Sequence, residues 1–121
     1  MTQTTEKLSV LKGLTALTEK ISIYVPSTFN VDIAINSDEY SEKIEKELST
    51  LFGGCTRTRS KGSYVCSNGF LVQEDVNIIY AFTDALNNHK LDAVLNMCIW
   101  LKEEMEQECI SLEINNKLYF I

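Results

Sequence analysis

Arg57, Arg59 and Lys61 stand at alternate positions in CTRTRSKGSY, and the two arginines are the only ones in the chain. Alternate side chains of an extended segment leave the same face, so the three form a strip of positive charge. Two guanidinium forks beside an ammonium suit a phosphate or carboxylate group, which arginine grips through paired hydrogen bonds. The same strip equally suits an edge strand charged against sheet-to-sheet pairing. Glu74 is the one acid among the apolar even positions Phe70, Val72, Val76, Ile78, Tyr80 and Phe82. Turned inward it would pair with Arg57 or Arg59. A bulge at 74–75 would turn it outward, and that is the expectation, because long strands commonly bulge. The candidate anion- or partner-binding group is therefore Arg57, Arg59, Lys61 and Glu74.

Other chemistries find little support. Nucleophilic catalysis needs a nucleophile with a base in reach. The only histidine, His89, opens a helix-like stretch with no Cys or Ser beside it. Cys55, Cys66, Cys98 and Cys109 form no CxxC pair, and one histidine completes no zinc-like spacing. Gly53-Gly54 follows a helix-like segment instead of preceding one, so no phosphate-cradling loop is present. Glu103, Glu104, Glu106 and Glu108 read as a solvated helix face. No catalytic residue, metal site or cofactor is expected.

These residues need elements to hold them. With 121 residues, 45% hydrophobic and 23% charged, the chain fits one globular domain with its own core. Its net charge of −6 disfavours direct nucleic-acid binding, which needs an extended positive surface. No apolar run reaches membrane-spanning length. The opening MTQTTEKLSVLKG lacks the basic-then-apolar order of a secretory leader. A cytoplasmic protein with free thiols and no membrane partner is expected.

Residues 1–20 read as an N-terminal arm, with Leu8, Leu11, Leu14 and Leu17 predicting a weakly amphipathic helix over 4–19. The domain proper is 21–121. Ile21–Val25 alternates and ends at Pro26, predicting a strand, and Val31–Ile35 is either a short edge strand or a loop. Ser37 is placed as the N-cap of a helix over 38–52, stopped by Gly53-Gly54. From Cys55 a meander is predicted: a strand, a turn at Ser60–Ser63, a strand at Tyr64–Cys66, a turn at Ser67–Gly69 and a long strand over Phe70–Thr83. A second helix spans Asn88 to Glu108 and carries Cys98 and Cys109 on one apolar face. A hairpin closes the chain, and polarity favours a three-residue turn at Asn115–Lys117 that groups Leu112, Ile114, Leu118 and Phe120.

Two helices on one face of an antiparallel sheet make a ferredoxin-like α+β fold. The helices are expected to cover Ile21, Ile23 and Val25 together with Val76, Ile78, Tyr80 and Phe82. Tyr24, Ile79, Tyr119 and Ile121 then lie on the opposite face, too apolar a set to remain wet. Either the arm or a second subunit covers it, and a homodimer is the expectation. Trp100 falls on the acidic side of the second helix with Glu103 and Glu104. It is either shielded by the arm or an anchor for a protein partner.

Phe52-Gly53-Gly54-x-Thr56, Gly62-x-Tyr64 and Asn68-Gly69-x-Leu71-Val72-x-Glu74 resemble small bacterial proteins classed only as a domain of unknown function. The segment Ile23–Thr28 and the closing Leu112–Ile114 and Leu118–Ile121 are similar to relatives from low-GC Gram-positive bacteria and their mobile elements. The likeness spans residues 21–121 and departs at Tyr64, where Trp is the commoner aromatic. It implies the ferredoxin-like fold and no activity. A mobile-element setting and an acidic surface suit a non-enzymatic interaction protein, an inhibitor of host nucleic-acid or defence machinery of the anti-CRISPR kind with a host protein as partner. The alternative is a small-ligand binder or cofactor-free enzyme with a pocket between sheet and helices.

Overall fold

The computed structural model describes residues 9–30 and 33–121. Five strands form one antiparallel sheet: β1 (Glu19–Pro26), β4 (Thr56–Val65), β5 (Leu71–Thr83), β6 (Ser111–Ile114) and β7 (Lys117–Phe120). Their order is β4-β5-β1-β6-β7. Helix α1 (Asp38–Phe52) links β1 to β4, and helix α2 (Asn88–Glu104) links β5 to β6. This is the α+β ferredoxin-like arrangement, extended at one edge by β7. A separate ribbon of β2 (Thr28–Phe29) and β3 (Ile33–Ala34) occupies the β1–α1 connection.

One cross-strand row fixes which face is the core. Arg57, Ile79, Ile23, Leu112 and Tyr119 are successive partners from β4 to β7, and partners in a sheet project to the same side. Ile79, Ile23 and Leu112 are fully buried with Ile44 and Leu48 of α1 and Val94, Cys98 and Leu101 of α2. The neighbouring row, Thr56, Tyr80, Ser22, Glu113 and Leu118, faces away from the helices.

This row corrects the assignment of β5. The odd positions Asn77, Ile79, Ala81 and Thr83 are buried under the helices, while Val76, Ile78 and Tyr80 are half-buried on the open face and Phe82 is exposed. Alternation holds, but the more apolar set is the one left outside. Asn77 is accepted in the core because its amide donates to Ser41 Oγ at 2.9 Å and Ser37 Oγ at 3.2 Å. Ser37 occupies the N-cap position of α1 without making a side-chain cap. The backbone N–H of Asp38 instead donates to Asn36 Oδ1 at 3.0 Å.

Several boundaries also move. β4 runs unbroken from Thr56 to Val65, with no turn at Ser60–Ser63, because β5 pairs with it over its whole length. The second helix ends at Glu104, not Glu108. Glu106 takes a left-handed φ of 49° there, and the Gln107 side-chain amide donates to Thr28 O at 2.8 Å, tying the exit to β2. Cys109 consequently lies beyond the helix and is exposed, whereas Cys98 is buried and its thiol is pushed up to about 12 by that burial. Of the helix predicted over 4–19, the described residues contain only a 3-10 turn at Ser9–Leu11; residues 4–8 lie outside them.

The closing hairpin turns on two residues. Ile114 pairs with Lys117 across Asn115-Asn116, whose φ values are 48° and 71°, the positive pair that a type I′ turn requires. Turn chemistry therefore overrides strand polarity, placing Lys117 and Tyr119 on the helix side and Leu118 and Phe120 on the open side. Asn115 is also tied to β1: its Oδ1 accepts from Lys20 N at 2.8 Å, and its own N–H donates to Lys20 O at 3.0 Å. Asn115→Ala keeps the second bond, loses the first and strains the left-handed backbone. It is expected to destabilise the fold by roughly 1–2 kcal/mol, measured by urea unfolding.

Candidate functional site

The basic strip is neutralised from within the fold. Arg57 and Arg59 project toward α1, where Asp38 in the first turn takes Arg57 Nη1 at 3.1 Å and Arg59 Nη2 at 3.4 Å. Glu45, two turns on, takes Arg57 Nε at 2.6 Å. Lys61 pairs at 3.3 Å with Asp75, its cross-strand partner. Arg57 thus fastens the edge strand to the helix, and the three cations are not free to converge on an anion. The Arg57–Glu74 or Arg59–Glu74 pair that an inward Glu74 would make does not form, because Glu74 leaves the opposite face of the hairpin. There is no bulge at 74–75: pairing continues through Lys61↔Asp75, Gly62↔Glu74 and Ser63↔Gln73 without a slip. Glu74 points away from the helices because its whole even-numbered set does.

The predicted partner surface is likewise rearranged. Ile79 is a core residue, and Ile121 closes onto Ile110 through two backbone bonds of 2.9 and 3.1 Å. Tyr119 is on the helix side of the sheet edge, half-exposed beyond the reach of the helices. Of the four, Tyr24 alone lies on the open face. Trp100 is shielded, though not by the arm: it packs against Tyr40 of α1 at 5.8 Å between ring centroids, with Lys43 Nζ 4.3 Å from its ring. Glu103 and Glu104 stay exposed beside it, and so does His89 at the start of α2.

A different site is assembled on the open face, where β4, β5 and β1 meet the segment leaving α2. It is a cleft of about 310 Å³ whose floor is Tyr24, Val76 and Ile78, with Glu74 and Gly62 on one side and Gln107, Cys109 and Ser111 on the other. Glu74 is half-buried and has no hydrogen-bond or ion-pair partner among the described residues. Its cross-strand neighbour is Gly62, so no side chain stands directly opposite it, and the same cleft is also lined by Ser60, Lys61 and Asp75. The Tyr24 hydroxyl donates to Glu113 Oε1 at 3.4 Å. Burial first, then the Glu113 charge and this bond, raise the Tyr24 pKa above its usual value, so the phenol is a neutral donor. A free carboxylate, a phenol and an apolar floor make a site that can attract a cation, accept a proton and exclude water from a charged reactant.

Sequence reasoning singled out Glu74 and Tyr24 but missed that they share this cleft. The signal was the Gly62 and Glu74 spacing about the Asn68-Gly69 turn, which sets them opposite each other once β4 is a single strand.

Fold and cleft together define a ferredoxin-like α+β domain with a small acid-bearing site on its exposed sheet face. No protein-family model matches the chain, and no curated protein does. Among solved structures, the fold is similar to a phage SAM lyase in complex with S-methyl-5′-thioadenosine, at a TM-score of 0.65 and 17% identity, covering 93% of this chain and 95% of that one. It is similar also to a phage SAM lyase in the apo state, at a TM-score of 0.62 and 16% identity with the same coverage. These neighbours are enzymes, and they overturn the expectation of a non-enzymatic inhibitor of anti-CRISPR or other anti-defence type. They favour the alternative, a ligand-binding or cofactor-free enzyme domain. The cleft that could serve it lies outside the sheet rather than between sheet and helices. Among the described residues no helix is long and apolar enough to cross a membrane.

Proposed function

We propose that the chain is an enzyme of the SAM lyase kind, cleaving a carbon–sulfur bond of S-adenosylmethionine in the cleft around Glu74. The observation that carries the proposal is the end-to-end match of its fold to that of a phage SAM lyase, with an unpartnered carboxylate in an apolar cleft of this chain. The substrate is a sulfonium cation bearing a four-carbon amino-acid arm. When the bond between sulfur and that arm breaks, both electrons stay with sulfur, and a neutral thioether, S-methyl-5′-thioadenosine, departs. The four-carbon fragment balances its charge by giving the proton of the neighbouring carbon to Glu74 as a double bond forms.

The floor of Tyr24, Val76 and Ile78 helps because the cationic sulfur loses its charge on the way to product. A low-dielectric surface therefore favours the transition state over the hydrated reactant. Tyr24, held neutral, offers a phenol face to the sulfonium. Incubating purified protein with S-adenosylmethionine and resolving the nucleosides by liquid chromatography is the test. Release of S-methyl-5′-thioadenosine is expected, and its absence above the background rate refutes the proposal. Deuterium at the neighbouring carbon assigns the proton: loss of one label per turnover is expected, and full retention rules out Glu74 as the base.

A further inference from the structure

On the helix side of the sheet, a second cavity of about 300 Å³ opens where β5 meets the end of β1. Ser60, Asp75 and Val76 border both this cavity and the Glu74 cleft, so the two adjoin across the β4–β5 backbone. Arg59 and Asn77 are cross-strand partners, and Lys61 and Asp75 form the next pair on the same face. The alternation that turns Glu74 toward the open face therefore turns Arg59, Asp75 and Asn77 toward this cavity. Ser37 and Asp38, at the start of α1, line it from the other side.

The floor is polar and nearly closed off from solvent, with Asn77 8% and Ser37 7% exposed. The Asn77 Nδ2 donates to Ser37 Oγ and Ser41 Oγ, which leaves Oδ1 without a donor among the described residues. No buried side-chain nitrogen or oxygen among them lacks a partner, so Oδ1 opens on the cavity instead of into the core. The Ser37 hydroxyl accepts the Asn77 bond and keeps its own proton to give. The rim carries both signs of charge. Arg59 commits only Nη2, to Asp38 at 3.4 Å, and its side chain is 77% exposed. Asp75 commits Oδ1 to Lys61 at 3.3 Å, which leaves its other oxygen uncommitted. A purely anionic ligand would be opposed by Asp38 and Asp75, and a purely cationic one by Arg59.

We infer that this cavity binds a free α-amino acid as its zwitterion. The carboxylate takes Arg59 and the Ser37 hydroxyl, and the ammonium takes Asn77 Oδ1 and Asp75. Charge-assisted hydrogen bonds at both ends supply the affinity, and half-buried Ile35 gives an aliphatic side chain a wall. The volume stands at the small end of ligand sites, which suits a ligand of that size. The inference stands independently of the chemistry proposed for the cleft.

Amide NMR spectra of the isotope-labelled chain, recorded while L-valine is added, test it. Saturable shifts are expected at the Asn77 side-chain amide and the Ser37 backbone, with a dissociation constant at or below about 1 mM. L-valinamide, which lacks the carboxylate, and isovalerate, which lacks the ammonium, should produce neither. Arg59→Gln should weaken valine at least ~10-fold through the lost charge-assisted bonds, and the fold should survive it because an exposed ion pair contributes little stability. Absence of a saturable shift with valine overturns the inference. Equal binding of valinamide or isovalerate overturns the zwitterion, and an unchanged affinity in Arg59→Gln overturns the placement of the carboxylate. Shifts confined to Gly62 and Glu74 would put the ligand in the cleft and overturn a second site.

Discussion

Glu74→Gln is expected to lower cleavage of S-adenosylmethionine by roughly 100- to 10,000-fold, the usual contribution of a positioned proton acceptor. The amide matches the carboxylate in size, so the cleft keeps its shape while losing its charge and its basicity. Nothing in the fold depends on that charge. Glu74 has no ion-pair or hydrogen-bond partner among the described residues, and Gly62 opposite it offers only backbone. The free energy of unfolding in urea should therefore stay within ~0.5 kcal/mol of wild type, as for a surface change that breaks no contact. The control is Glu103→Gln on the exposed end of α2, which removes the same charge from a surface the cleft does not touch. If turnover survives Glu74→Gln, or if both variants lose it equally, the carboxylate is not the reacting group.

The catalytic split is informative too. If Glu74 only held the substrate by charge, the Gln variant would raise KM and leave kcat alone. A proton acceptor acts in the transition state, so kcat and kcat/KM should fall together.

How much of this was legible in the sequence depends on which physical signal carried each element. α1 was readable end to end, because Ile44 and Leu48 mark its buried stripe and Gly53, at a φ of 86°, can close it in the left-handed conformation. β1 was readable because Ile21, Ile23 and Val25 alternate with Ser22 and Tyr24. β5 was not, since both of its faces are apolar. The choice between Ile78 and Ile79 is made by pairing with Ile23 of a strand far away in sequence, and pattern alone carries no such information. Asn115-Asn116 announced a two-residue turn through its tolerance of positive φ, yet the polarity of Lys117 argued for a longer one. The backbone requirement won because Lys117 sits on an edge strand where its charged end reaches water.

The site suffered from the same ambiguity. Arg57, Arg59 and Lys61 were correctly placed on one face, but their carboxylate partners Asp38, Glu45 and Asp75 could be identified only after α1 was laid over the sheet. The strip looked like a binding surface because its neutralising groups come from other elements. Glu74 looked like an anomaly to be explained away by a bulge. On the open face it needs no such explanation, since an acid there remains in contact with solvent.

The assignment of faces has its own stability test, with the second large expected effect. Ile79→Ala should destabilise the fold by roughly 2–5 kcal/mol, because it removes three carbons from a fully buried site and leaves a cavity among Ile23, Leu112 and the helices. Ile78→Ala, one residue earlier, removes the same atoms from a half-buried site on the open face and should cost less than about 2 kcal/mol. Both are measured by urea unfolding at one and the same protein concentration. Had the even-numbered side chains of β5 faced the helices, the order would reverse. An Ile78 variant less stable than the Ile79 variant would move Glu74 beneath the helices, and the cleft on the open face would lose its carboxylate.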